Sequence, residues 1–102
     1  MAADAEALAA VASAFELGPV RAVLVITEGL MNRNWRVETD TGVWAVKQVL
    51  DVDAATARRQ HLATMALAAR GRPVPAPRRA AGGDTLLDHG GRIYAVSAWV
   101  RG

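Results

Sequence analysis

Lys47 is the single lysine among twelve basic residues; arginine carries every other side-chain positive charge. A compact ammonium on a flexible stem suits a position that must reach an anion. Strand alternation puts Lys47 on one face with Val43, Ala45 and Val49. A charge on an otherwise apolar strand face needs a partner or an anionic ligand, unless that face is simply the solvent side of its sheet. Upstream, Gly29-Leu30-Met31-Asn32 lies between two strand-like segments. A turn there would cover a bound anion with backbone N–H groups and one polar side chain, or it would be an ordinary hairpin loop. The remaining charged clusters, Arg58-Arg59 and Arg70, Arg72, Arg78 and Arg79, read as solvated helix and loop charge rather than a nucleic-acid surface. His61 and His89 are too far apart in sequence, and too poorly accompanied by carboxylates, to suggest a metal pair. No catalytic or metal-binding residue is assigned.

The elements that must position these groups follow from periodicity. Leu8, Val11, Ala12 and Phe15 recur at helical spacing and predict a helix from Ala2 to Leu17, stopped by Gly18-Pro19. Val20 to Thr27 is a β-branched run and predicts a strand. From Asn34 to Thr39 a second strand alternates Trp35, Val37 and Thr39 on one face with Asn34, Arg36 and Glu38 on the other. Asp40-Thr41-Gly42 connects it to a third, Val43 to Val49. Asp51 or Asp53 caps a helix that runs to about Arg70 with Leu62, Met65, Ala66 and Ala69 on its apolar stripe and Gly71 at its end. The Pro73-Val74-Pro75-Ala76-Pro77 segment must be extended. Short strands are expected at Arg78 to Ala80 and Asp84 to Leu87, and a longer one at Arg92 to Ala98. The expected fold class is α+β: a mostly antiparallel, curved sheet of about five strands, an N-terminal helix, and the second helix packed on the sheet. One domain, residues 1–102, is expected.

Composition narrows the class. The formal charge of +2 is too small for a dense nucleic-acid patch. There is no cysteine, which removes disulfides and thiolate metal sites and suits a reducing compartment. Asp4 and Glu6 stand where a secretory leader would be basic. No apolar run approaches the roughly 18 residues of a membrane span. Cytoplasmic localisation is the expectation, with no membrane and no nucleic-acid partner.

The stretch from Gly29 to Lys47 resembles the G-x-x-N…V-x-T-x-x-G-x-x-A-V-K pattern of aminoglycoside phosphotransferase and choline kinase-like enzymes, which have a protein-kinase-like fold. Gly71 followed by Pro73-Val74-Pro75 is similar to that family's G-x-P-V-P segment, and Tyr94 to Gly102 to its last N-lobe strand running into the hinge. The resemblance covers about Val20 to Gly102. It implies an ATP-binding N-terminal lobe. Gly29 and Asn32 would lie over the phosphates, Val37 and Ala45 would sandwich the adenine, and Lys47 would hold the α- and β-phosphates. The backbone of Ala98, Trp99 and Val100 would read the adenine edge, with Trp99 an aromatic wall or a residue left exposed at the chain's end.

Two departures from the family pattern accompany the resemblance. No glutamate follows Glu38, so the helix glutamate that holds the lysine in kinases is missing, and Gln60 or His61 would stand in. The H-x-D-x-x-x-x-N catalytic loop and the magnesium-binding aspartate of the C-terminal lobe are also absent. The resemblance therefore implies ATP as cofactor, Mg²⁺ with ligands from the missing C-lobe, and a chain inactive alone whose parent phosphorylates a small-molecule hydroxyl. Ending at the expected hinge reads as an engineered cut or a split gene, with self-association through the exposed hinge surface. The alternatives are a non-catalytic binding or interaction module with the same lobe fold, or a small basic nucleic-acid-binding domain.

Overall fold

The computed structural model describes residues 2–26 and 32–100. Among them are α1 (Ala2–Ala14), β1 (Val20–Ile26), β2 (Arg33–Thr39), β3 (Gly42–Gln48), α2 (Ala54–Ala69), β4 (Leu87–His89) and β5 (Arg92–Ala98). The strands form one open antiparallel sheet in the order β1-β2-β3-β5-β4, and α2 lies in the connection from β3 to β5. The fold is α+β, consistent with a kinase-like N-lobe. No helix among the described residues is long and apolar enough to cross a membrane.

The main core lies between α1 and one sheet face. Leu8, Val11, Ala12 and Phe15 are buried as their spacing predicts, joined by Ala7 and Leu17. They meet Trp35 and Val37 of β2, Val46 of β3, and Tyr94 and Val96 of β5. Strand alternation explains the selection, because Trp35 pairs with Val46 and Val46 with Val96 across the ladders, so all point to one side. Each fully buried large side chain here contributes about 1.5–3 kcal/mol.

The first helix stops before Leu17, earlier than its periodicity suggests. Glu16 adopts φ 56°, Glu16 N–H donates to Ser13 O (3.2 Å), and Leu17 N–H donates to Ala12 O (2.8 Å). This paired closure is a Schellman motif, and it turns Leu17 into the core. Gly18, at φ 88°, then passes so close to the β2–β3 turn that an added Cβ would lie 3.3 Å from Asp40 Cβ. Thr41 Oγ1 donates to Leu17 O (2.7 Å) and Arg21 pairs with Asp40, fixing the corner.

Two edge expectations are corrected. Arg78 to Ala80 is no strand: only a bridge from Pro77 to Ser97 and an Arg78 N–H to Val96 O bond (2.7 Å) hold this segment to β5, because Pro75 and Pro77 lack the donors a longer ladder needs. Asp84 to Leu87 is a turn running into β4, since the Asp84 carboxylate accepts from Leu86 N–H (3.1 Å) and draws the backbone out of extension. The β4–β5 hairpin then closes through Gly90 and Gly91, both at positive φ (63° and 78°).

Arg78 is a fastener rather than a solvated charge. Its Nε donates to Phe15 O (2.9 Å), and its guanidinium lies 4.8 Å from the Trp44 ring centroid. Arg78→Met is expected to cost about 1–3 kcal/mol by removing a charged hydrogen bond and a cation–π contact. Urea unfolding checks this; a midpoint unchanged from wild type contradicts it.

Candidate functional site

The sheet face opposite α1 is only partly covered. Asp53 caps α2 by accepting from Thr56 N–H (2.8 Å). The helix touches the sheet through Ala57, which packs with Val49, Leu86 and Ala95 in a second, smaller core. Its inward side is Ala54, Ala57, His61, Thr64, Met65 and Ala68, whereas Leu62, Ala66 and Ala69 are exposed. The expected apolar stripe is thus corrected by a rotation about the helix axis, which brings polar His61 and Thr64 to the interior. Alanine on every side of this helix leaves little angular bias.

Between α2 and the sheet lies a cleft of about 480 Å³, within the range of small-molecule sites. Its floor is Asn34 of β2, Ala45 and Lys47 of β3, and Ala95 and Ser97 of β5; His61 and Thr64 form one wall, and Val74, Pro75 and Pro77 the lip. The floor follows from register: Lys47 stands between Asn34 and Ala95, and Ala45 between Arg36 and Ser97. Ala45 is small, so the floor beside the lysine stays flat. Among the described residues Lys47 has no hydrogen bond or ion pair, and none that lines the cleft is a carboxylate.

Of the two residues expected to stand in for the helix glutamate, His61 lines the cleft and Gln60 is exposed and outside it, and neither is bonded to Lys47 among the described residues. The His61 Nδ1 and Thr85 Oγ1 share a hydrogen bond (2.7 Å), and Thr85 is itself 4 % exposed. Burial, then the Lys47 charge, lowers the His61 pKa below the ordinary histidine value, while Asp84 opposes the shift. Asp84 is clasped by Arg58 through Nε (3.1 Å) and Nη2 (2.8 Å), and that hydrogen bonding holds its carboxyl below the usual carboxylate range.

Other expected site residues lie elsewhere. Val37 does not join Ala45: it is on the opposite face, 1 % exposed in the α1 core, as its alternation with Arg36 requires. Asn32 Oδ1 accepts from Leu50 N–H (2.8 Å) and Asp51 N–H (3.3 Å), stapling the start of β2 to the β3–α2 connection. Gly29 lies outside the described residues. Ala98 pairs with Trp44, Trp99 N–H donates to Val43 O (3.0 Å), and none of Ala98, Trp99 and Val100 lines the cleft. The Trp99 ring lies 5.8 Å from the Arg36 guanidinium.

Asn34 and Ser97 are site residues that motif reading missed. Hairpin arithmetic about Asp40-Thr41 would have found Asn34, since that turn places it opposite Lys47. No local signal marks Ser97, whose position depends on the long crossover through α2.

The family model described as the Phosphotransferase enzyme family matches residues 22–102. The chain belongs to this family. The match takes in the whole cleft and the three strands that carry Lys47 and its neighbours, while α1 lies before it. No curated protein sequence matches the chain. Among the described residues no group of three or more His, Cys, Asp or Glu is placed to hold a metal ion.

Proposed function

We propose that this chain is the ATP-binding N-terminal lobe of a phosphotransferase that acts on a small-molecule hydroxyl. The observation that carries the reading is Lys47, a cation without a partner among the described residues, on the floor of a cleft beside Ala45. An adenine ring on the Ala45 floor against the Val74–Pro77 lip would bring its phosphates to the Lys47 ammonium. Asn34 and Ser97 would supply neutral hydrogen bonds at the floor. Magnesium would neutralise phosphate charge, and its ligands would come from outside this chain. The acceptor would likewise bind elsewhere, so the chain alone would position nucleotide without transferring phosphate.

The test is titration of ATP into ¹⁵N-labelled protein. Shifts are expected at Asn34, Ala45, Lys47, His61 and Ser97, with a Kd on the order of millimolar because one lobe encloses the ligand from one side only. Shifts confined to Arg70, Arg72 and Arg79 would replace this reading with a generic anion-binding surface.

A further inference from the structure

His61 combines properties that Lys47 alone lacks. It lines the same cleft from the facing helix, and its Nδ1 is fixed by a buried hydroxyl. Its Nε2 has no partner among the described residues. A threonine hydroxyl both donates and accepts. It donates to Nδ1 of the neutral ring, leaving Nε2–H as a donor, and it accepts from Nδ1–H of the imidazolium. The ring therefore keeps one orientation in both charge states, and protonation changes only its charge. The charged and titratable groups around it are Lys47 from β3, Asp84 from the segment before β4, and Arg58 from its own helix, which holds the Asp84 carboxylate.

We propose that His61 is a second phosphate-binding group of the cleft, engaged by protonation, so that the lobe holds a nucleotide's phosphates more tightly as pH falls below neutral. The inference rests on the nucleotide reading above. Without ligand, Lys47 and His61 are like charges when both are protonated, and this repulsion together with burial keeps the free ring neutral at pH 7. A polyphosphate between them reverses the balance. It compensates both cations, so binding takes up a proton at His61, and by linkage protonation tightens binding by the same factor. A carboxylate in this position would pair with Lys47 and repel phosphate; a histidine leaves the lysine available and adds a second cation on demand.

The experiment uses the full chain and ADP without metal. In the first arm, the His61 ring titration is followed by ¹³C NMR with and without saturating ADP. Its midpoint is expected to move upward by about one pH unit, which corresponds to roughly tenfold. In the second, ADP affinity is measured at pH 8 and pH 5.5 for wild type and His61→Gln. The ratio of the two proteins' affinities removes the nucleotide's own titration; it is expected near one at pH 8 and several-fold in favour of wild type at pH 5.5, approaching roughly tenfold only below the free ring's midpoint. ADP binding that depends on Lys47, with an unmoved ring midpoint or a ratio flat with pH, overturns this inference and leaves the nucleotide reading standing. An ADP-insensitive wild type overturns both. The ring titration needs no substitution, so a misfolded variant does not obscure the result.

Discussion

Removing residues 1–17 is expected to unfold the chain, although the family match begins only at residue 22. Ala7, Leu8, Val11, Ala12, Phe15 and Leu17 form one half of the main core, and without them Trp35, Val37, Val46, Tyr94 and Val96 face water. The aliphatic and aromatic side chains on the two sides are each worth about 1.5–3 kcal/mol on burial. Their combined loss exceeds the roughly 5–15 kcal/mol by which domains are stable. The other face offers no substitute, because its core is limited to Val49, Ala57, Leu86 and Ala95 around an open cleft. Phe15→Ala is the graded version. That side chain is 1 % exposed, and truncation should cost about 3–5 kcal/mol through lost transfer energy and an unfilled cavity. Backbone amide dispersion in ¹H–¹⁵N spectra reads the deletion, and urea unfolding reads the point variant. A deletion product with a dispersed spectrum would show that the sheet stands without its helix.

That helix was legible from Leu8, Val11, Ala12 and Phe15, yet its importance was not. Periodicity identifies an apolar stripe without saying which sheet face receives it, and both helices offered one. Strands were read more securely. With a period of two, placing Trp35 inside forces Val37 and Thr39 inside and Arg36 outside. Lys47 and Ala45 were placed together for the same reason. Where motif resemblance and alternation disagreed, at Val37, alternation prevailed, because a side chain two residues from Trp35 cannot leave that face without breaking the ladder. The rotation of α2 was the least legible feature. Leu62 is 57 % exposed and Leu67 42 %, an arrangement no apolar count would choose. The helix is oriented by other means: the close approach of Ala57, the Arg58–Asp84 clasp and the His61–Thr85 hydrogen bond. Each depends on residues 84–86, which lie far along the chain and become neighbours only through the antiparallel return of β5 beside β3.

Lys47→Met is expected to erase nucleotide binding while leaving the fold intact, the sharper of the two effects because it separates site from scaffold. Lys47 is exposed and pairs with nothing among the described residues. Its replacement therefore breaks no native contact and should change stability by no more than about 0.5 kcal/mol. Methionine retains most of the stem's volume, so the Ala45 floor and the Val74–Pro77 lip keep their shape. Only the charge is lost. A charge-assisted bond to phosphate is worth about 1.5–3 kcal/mol, or roughly 10- to 100-fold in affinity. Against a millimolar starting point, that puts the variant beyond detection, and the ATP-induced shifts at Asn34, Ala45, His61 and Ser97 should vanish together. Lys47→Arg discriminates charge from shape: it keeps the cation on a longer, planar head and should retain weakened binding with a displaced shift pattern. Raising salt should weaken the wild type and the arginine variant in parallel, since both depend on the same attraction. If Lys47→Met binds ATP as well as wild type does, the phosphates lie elsewhere, and the ammonium on the cleft floor is simply a solvated charge.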